Sequence, residues 1–224
     1  MSETSKNVVI IGANRGIGLE FVKQYTENGA KVTAVCRKAS DALKALDCAL
    51  IEGVDVTDND LQSRLISQLA VDKIDTLIHN SGILKGDSFP DIDVENMKHH
   101  FDVNTLGPLR TIMALKSKLR EGSKVGIVSS RVGSIEDNSS SHNYAYRVSK
   151  TAVNMLGKCL SIDLKDNGVA VALLHPGYVR TEMTGNNGHI EADEAARGLI
   201  AQMNELSLNS TGIFVHSSGE LLPW

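Results

Sequence analysis

The sequence predicts an α/β fold: one doubly wound domain over residues 1–224, built on a mostly parallel seven-stranded sheet with helices on both faces. Three observations carry that expectation. Short apolar runs of strand length alternate with longer amphipathic stretches almost throughout. A glycine-rich turn follows the first of those runs. No internal repeat and no Pro-rich or Gly/Ser linker divides the 224 residues, a length that suits a single core of this kind.

In chain order, the first strand is expected at 7–11, where the apolar run Val8-Val9-Ile10-Ile11 is far too short to span a membrane. The glycine turn then opens a helix at 16–28. Further strand-length runs fall at 31–36, 49–54, 76–79, 124–129, 169–174 and 212–215. Helical patterns separate them at 39–45, 58–70, 94–118, 144–166 and 192–206. The pattern at 94–118 is interrupted by Asn104, whose side chain competes for backbone hydrogen bonds, and by Pro108, which has no N–H. A local kink is expected there. Asn138-Ser139-Ser140-Ser141 reads as a surface loop, and 177–190, with Gly177, Gly185 and Gly188, as an irregular segment on the same edge.

A net charge of −4 with both signs interspersed gives no basic footprint, which argues against nucleic acid or an anionic membrane as partner. Residues 1–6 lack the basic-then-apolar layout of a signal peptide. Cys36, Cys48 and Cys159 are odd in number and widely spaced, as expected of structural thiols in a reducing cytoplasm. His99 and His100 are adjacent, so they face different sides of a helix, and no third ligand stands at metal spacing.

Most candidate motifs fall just after a strand, and right-handed crossovers put the carboxyl ends of parallel strands on one edge. Gly12, Gly16 and Gly18 stand in the first such turn, with Asn14, Arg15 and Ile17 among them. Glycine there lets a pyrophosphate approach the helix N-terminus, although G-x-x-x-G-x-G taken alone also fits a plain tight turn. Arg37 ends the second strand, where NAD-binding folds often carry an acidic residue for the ribose 2′-hydroxyl. Cys36-Arg37-Lys38 offers cations instead, and Arg15 approaches from the glycine turn; guanidinium suits a 2′-phosphate. The pair favours NADP(H) over NAD(H), against the plainer reading of two solvated arginines. Asp55-Val56 follows the third strand, to meet an adenine or to cap the next helix. Asn80-Ser81-Gly82 ends the fourth, where Gly82 permits close cofactor approach or simply turns the chain.

Tyr146 and Lys150 are four apart, so a helix projects phenol and ammonium from one face. A cation there is expected to lower the phenol below its usual pKa of about 10. Such a Tyr exchanges protons near neutral pH, as reversible carbonyl–alcohol chemistry requires. Tyr144, six positions from Lys150, points elsewhere. Ser129 and Ser130 end the fifth strand, where either hydroxyl can meet a substrate oxygen or merely shape a turn. His175 precedes Pro176-Gly177 and is read as a packed or capped histidine.

In this order, the glycine turn, Asn80-Ser81-Gly82, Asn104, Ser129-Ser130, Tyr146 with Lys150, and Pro176-Gly177 resemble the short-chain dehydrogenase/reductase family, from about residue 7 onward. Ser129-Ser130-Arg131-Val132-Gly133-Ser134-Ile135, the run from Tyr144 to Lys150 and Gly219-Glu220-Leu221-Leu222-Pro223-Trp224 are similar to its sniffer/C-factor-like carbonyl reductase branch. The resemblance implies a Rossmann-type domain and a tetrad of Asn104, Ser130, Tyr146 and Lys150, with Ser130 chosen as the second serine of the pair. It implies Tyr146 as proton donor, Ser130 orienting the carbonyl, Lys150 on the nicotinamide ribose and Asn104 holding a relay water. Pro176, Gly177, Val179 and Thr181 would frame the nicotinamide. Two departures stand out: Ile11 where the family usually has Thr, and His79-Asn80-Ser81-Gly82 where it has Asn-Asn-Ala-Gly. The activity so implied is reduction of a small-molecule carbonyl (aldehyde, ketone or quinone) by NADPH, giving NADP+. Relatives occur as monomers, dimers or tetramers, so a homo-oligomer is open. The competing reading is an NADP(H)-binding regulatory or signalling protein in which turnover is incidental.

Overall fold

The computed structural model describes residues 5–224. The first four residues, on which the expectation of no signal peptide partly rests, lie outside that description. In chain order the elements are β1 (Asn7–Ile11), α1 (Gly16–Glu27), β2 (Lys31–Val35), α2 (Asp41–Lys44), β3 (Ala49–Ile51), α3 (Leu61–Gln68) and β4 (Thr76–His79). There follow α4 (Val94–Phe101), α5 (Gly107–Leu115), β5 (Lys124–Val128), α6 (Tyr144–Asp163), β6 (Ala170–His175), α7 (Ala192–Glu205) and β7 (Ile213–His216).

The strands form one sheet in the order β3-β2-β1-β4-β5-β6-β7. Each neighbouring pair is parallel, so the sheet is wholly rather than mostly parallel. Every crossover carries a helix that returns the chain to the starting end, which a parallel pair demands. Burial on both faces explains why the strands read as near-continuous apolar runs. The two-residue period divides them: Val8 and Ile10 pack with Phe21 and Val22 of α1 and Leu199 of α7. Val9 and Ile11 pack on the other face with Leu65 of α3, Leu115 of α5 and Val153 of α6. Strand order reverses between β1 and β4, and a crevice opens there at the carboxyl ends.

The expected helix at 94–118 is broken. Between α4 and α5 the backbone widens into a π-type stretch, Asp102–Leu106. Pro108 has no N–H for the carbonyl four residues back, at Asn104, and the Asn104 and Thr105 side chains bond instead to Ile83 and Ser149. The third helix starts at Leu61 rather than 58. Asp55 Oδ1 accepts from the Thr57 N–H at 3.0 Å and its hydroxyl at 2.8 Å, turning the chain first. Among the described residues no helix is long and apolar enough to cross a membrane.

Candidate active site

Above the carboxyl ends of β1, β2, β4 and β5 lies a cleft of about 700 Å³, within the usual range of cofactor and ligand sites. Its floor is a close contact between the turn after β1 and the turn after β4. Gly12 has φ +81°, and a Cβ there would stand 2.6 Å from Ser81 Oγ and 2.7 Å from Ser81 N. Asn80 Nδ2 donates to Gly12 O at 3.0 Å. Gly18, one turn into α1, would drive a Cβ into that same carbonyl. Gly18 thus packs helix against strand and does not line the cleft, whereas Gly12, Gly16, Ile17, Ser81 and Gly82 do. α1 starts without a side-chain cap and with no acidic residue in its first turn. Its first N–H groups are therefore unspent beside the cleft, the arrangement that attracts an anion.

Toward β2 the cleft meets Arg37, Lys38, Asp55 and Val56. Arg37 Nη1 lies 3.8 Å from Asp55 Oδ2. Burial pushes the Asp55 carboxyl up, but hydrogen bonds from Thr57 and the charge of Arg37 outweigh it, leaving the group below its ordinary value. Arg15 reaches across the mouth to Glu182, in the segment after β6. Asn14 is a strut: its Oδ1 accepts from Ser40 N at 2.5 Å and its carbonyl accepts from the Ser40 hydroxyl at 2.9 Å.

Toward β5 stand Tyr146 and Lys150, one turn apart on α6. Lys150 Nζ lies 5.5 Å from the centre of the Tyr146 ring and donates to Val128 O at 2.9 Å. Burial lowers the lysine to about 8. It also pushes the Tyr146 phenol up to about 12, with the Ser130 hydroxyl pulling the other way. The expected lowering of Tyr146 by Lys150 is therefore not what the site shows: burial is the largest influence on the phenol and raises it, and the ammonium is itself destabilised by burial. The two serines are distinguished as well. Ser129 lines the cleft, but its Oγ is committed to Asn154 Oδ1 at 2.5 Å, while Ser130 stands behind the lining with its hydroxyl bonded to the Tyr146 phenol.

The family model described as short chain dehydrogenase matches residues 6–192. The chain belongs to that family. It is 40% identical to 1-hydroxy-2-glutathionyl-2-methyl-3-butene dehydrogenase of Rhodococcus sp. (strain AD45), over 97% of this chain and 99% of that one. Its fold is similar to that of the carbonyl reductase Sniffer of D. melanogaster, with a TM-score of 0.91, 25% identity and 98% and 100% of the two chains covered. It is also similar to the NADPH-bound carbonyl reductase from chicken fatty liver, with a TM-score of 0.89, 26% identity and coverage of 98% and 99%. The sniffer-like resemblance read from the sequence is borne out.

In this short-chain dehydrogenase, Asn104 stands behind the cleft wall, buried. Its Oδ1 accepts from Ile83 N at 2.8 Å, and its Nδ2 donates to Ile83 O at 3.0 Å and Ser149 Oγ at 2.9 Å. Asn104→Ala is expected to cost about 1–3 kcal/mol, because it strands those partners in the interior; urea denaturation measures the loss. Pro176 and Thr181 line the cleft, but Gly177 and Val179 do not. Gly177 makes a turn at φ +93°, and Val179 is buried against Ile190. His175 is packed edge-on to His216 at 5.0 Å, and burial holds it near a pKa of about 3, neutral and no proton donor. Burial does the same to His79.

Sequence reasoning missed Ile83, His99, Glu182 and Met183, which also line the cleft. Glu182 and Met183 directly follow Thr181 and were within reach of the same segment argument. His99 arrives from α4, and no motif marked it.

Proposed function

We propose that the chain is an NADPH-dependent carbonyl reductase that converts an aldehyde, ketone or quinone to an alcohol. The observation that carries this reading is Tyr146 and Lys150 at the β5 side of a cleft whose β2 side presents Arg37, with the Ser130 hydroxyl beside the Tyr146 phenol. The residues present fit NADPH: Gly12 puts no side chain over the Ser81 contact at the floor, the bare N-terminus of α1 suits a pyrophosphate, and Arg37, Lys38 and Arg15 suit a 2′-phosphate. The NADPH-bound relative from chicken fatty liver supports the same cofactor.

The chemistry a bound NADPH supplies is hydride transfer to the carbonyl carbon. Tyr146 gives its phenolic proton to the carbonyl oxygen as negative charge develops there, and is reprotonated from solvent. Ser130 donates a second hydrogen bond to that oxygen, so the carbonyl is oriented before it reacts. One such donor contributes about 2–4 kcal/mol to the transition state. Lys150, anchored on Val128 O, would hold the nicotinamide ribose, with Pro176 and Thr181 beside the ring. Asn104 acts by position: it fixes Ile83 to α6, and a relay water at its side chain would compete with three existing hydrogen bonds. A cytoplasmic setting agrees with three unpaired cysteines. A complete proton-handling set favours catalysis over a purely regulatory role.

The test is consumption of NADPH and NADH by the purified protein over a panel of aldehydes, ketones and quinones. NADPH-selective turnover is the expected result. Tight NADPH binding with no turnover across the panel would sink the reductase reading.

A further inference from the structure

We infer that Glu182 is the counter-ion that limits how tightly the cleft holds a 2′-phosphorylated dinucleotide, acting through Arg15. The inference rests on the NADP(H) reading above. Two carboxylates face the arginines named for the phosphate, and they differ in kind. Asp55, beside Arg37, is held in place by the Thr57 N–H and hydroxyl. Glu182 has Arg15 as its side chain's partner among the described residues, and both side chains are mostly exposed, 64% for Arg15 and 71% for Glu182.

The backbone beneath Glu182 is fixed. It opens a single turn, Glu182–Thr184, closed by a capping box between Thr181 and Thr184. Val179 bridges to Ile190, and Arg180 pairs with Glu191 at 2.6 Å. This segment lies against the glycine turn, where a Cβ on Gly16 would stand 3.3 Å from Thr181 Cγ2. The carboxylate is thus carried to Arg15 by rigid backbone on the far side of the cleft mouth, while its own side chain is free to swing away.

A phosphate that reaches the Arg15 guanidinium displaces Glu182, because two anions on one exposed cation repel each other. NADPH must make that exchange; NADH, lacking the 2′-phosphate, leaves the ion pair intact. Glu182 therefore weakens NADPH alone and eases release of NADP+.

The experiment is fluorescence titration of NADPH and of NADH into wild type, Glu182→Gln, Arg15→Ala and the double variant. Glu182→Gln is expected to lower the Kd for NADPH roughly two- to fivefold, the range an exposed pair supports. The Kd for NADH is expected to stay unchanged, and the gain to vanish in the Arg15→Ala background. A wild type that binds both dinucleotides equally overturns the NADP(H) reading itself. A wild type that prefers NADPH overturns the Glu182 assignment alone if Glu182→Gln shifts neither Kd, shifts both alike, or keeps its gain without Arg15.

Discussion

Replacing Tyr146 with Phe is expected to lower turnover by about 10²–10⁴-fold, the usual share of a positioned proton donor, while the Kd for NADPH stays essentially constant. The variant deletes one hydroxyl and nothing else. The ring that sits 5.5 Å from Lys150 Nζ is retained, as is the Lys150 bond to Val128 O, so the cofactor side of the cleft keeps its shape. Burial pushes the phenol up to about 12, which suits reduction. The group is fully protonated at neutral pH, and the alkoxide it must quench is a far stronger base than a phenolate. The proton therefore runs downhill without any prior lowering of the Tyr146 pKa. Steady-state rates with NADPH and a carbonyl substrate, set beside a binding titration, separate the two effects. Near-wild-type turnover in the variant would remove Tyr146 from the chemistry, and a loss of NADPH binding in step with turnover would make its role structural.

The parts of this molecule that sequence revealed are those governed by local rules. Alternating apolar runs marked all seven strands, because a sheet buried on both faces leaves its strands no polar side. The Asn104–Pro108 irregularity was legible for the same reason: a missing N–H and a competing amide disrupt a helix wherever it sits. What failed depends on burial, which no spacing reports. The Tyr146–Lys150 pair was read as cation lowering phenol, but burial of the phenol is the larger influence and sends it the other way. Gly18 was read from the glycine spacing and Val179 from the family resemblance, and the structure gives each a packing role. One packs on the Gly12 carbonyl and the other on Ile190. Glu182 directly follows Thr181, but its meaning emerges only from its pairing with Arg15 across 167 residues of chain.

Arg37→Asp is expected to weaken NADPH by about 10–100-fold, which is what losing a hydrogen-bonded charge partner of about 1.5–3 kcal/mol implies, and to change NADH by far less. Arg37 stands two residues after β2, and its side chain is 75% exposed beside the cleft, so the substitution disturbs no packing. It removes the guanidinium, sets a carboxylate against the dianionic phosphate, and supplies an oxygen that a ribose 2′-hydroxyl can donate to, the arrangement of NAD-binding folds. The new charge also faces Asp55, whose carboxyl rises once Arg37 no longer helps to hold it down. The Thr57 bonds to Asp55 survive, so the turn that shapes this wall persists and thermal unfolding should scarcely move. The measured quantity is the ratio of the two dissociation constants. A ratio that falls toward or below one places the 2′-phosphate at Arg37. An unchanged ratio would shift recognition of the 2′-phosphate from Arg37 to Arg15 and Lys38.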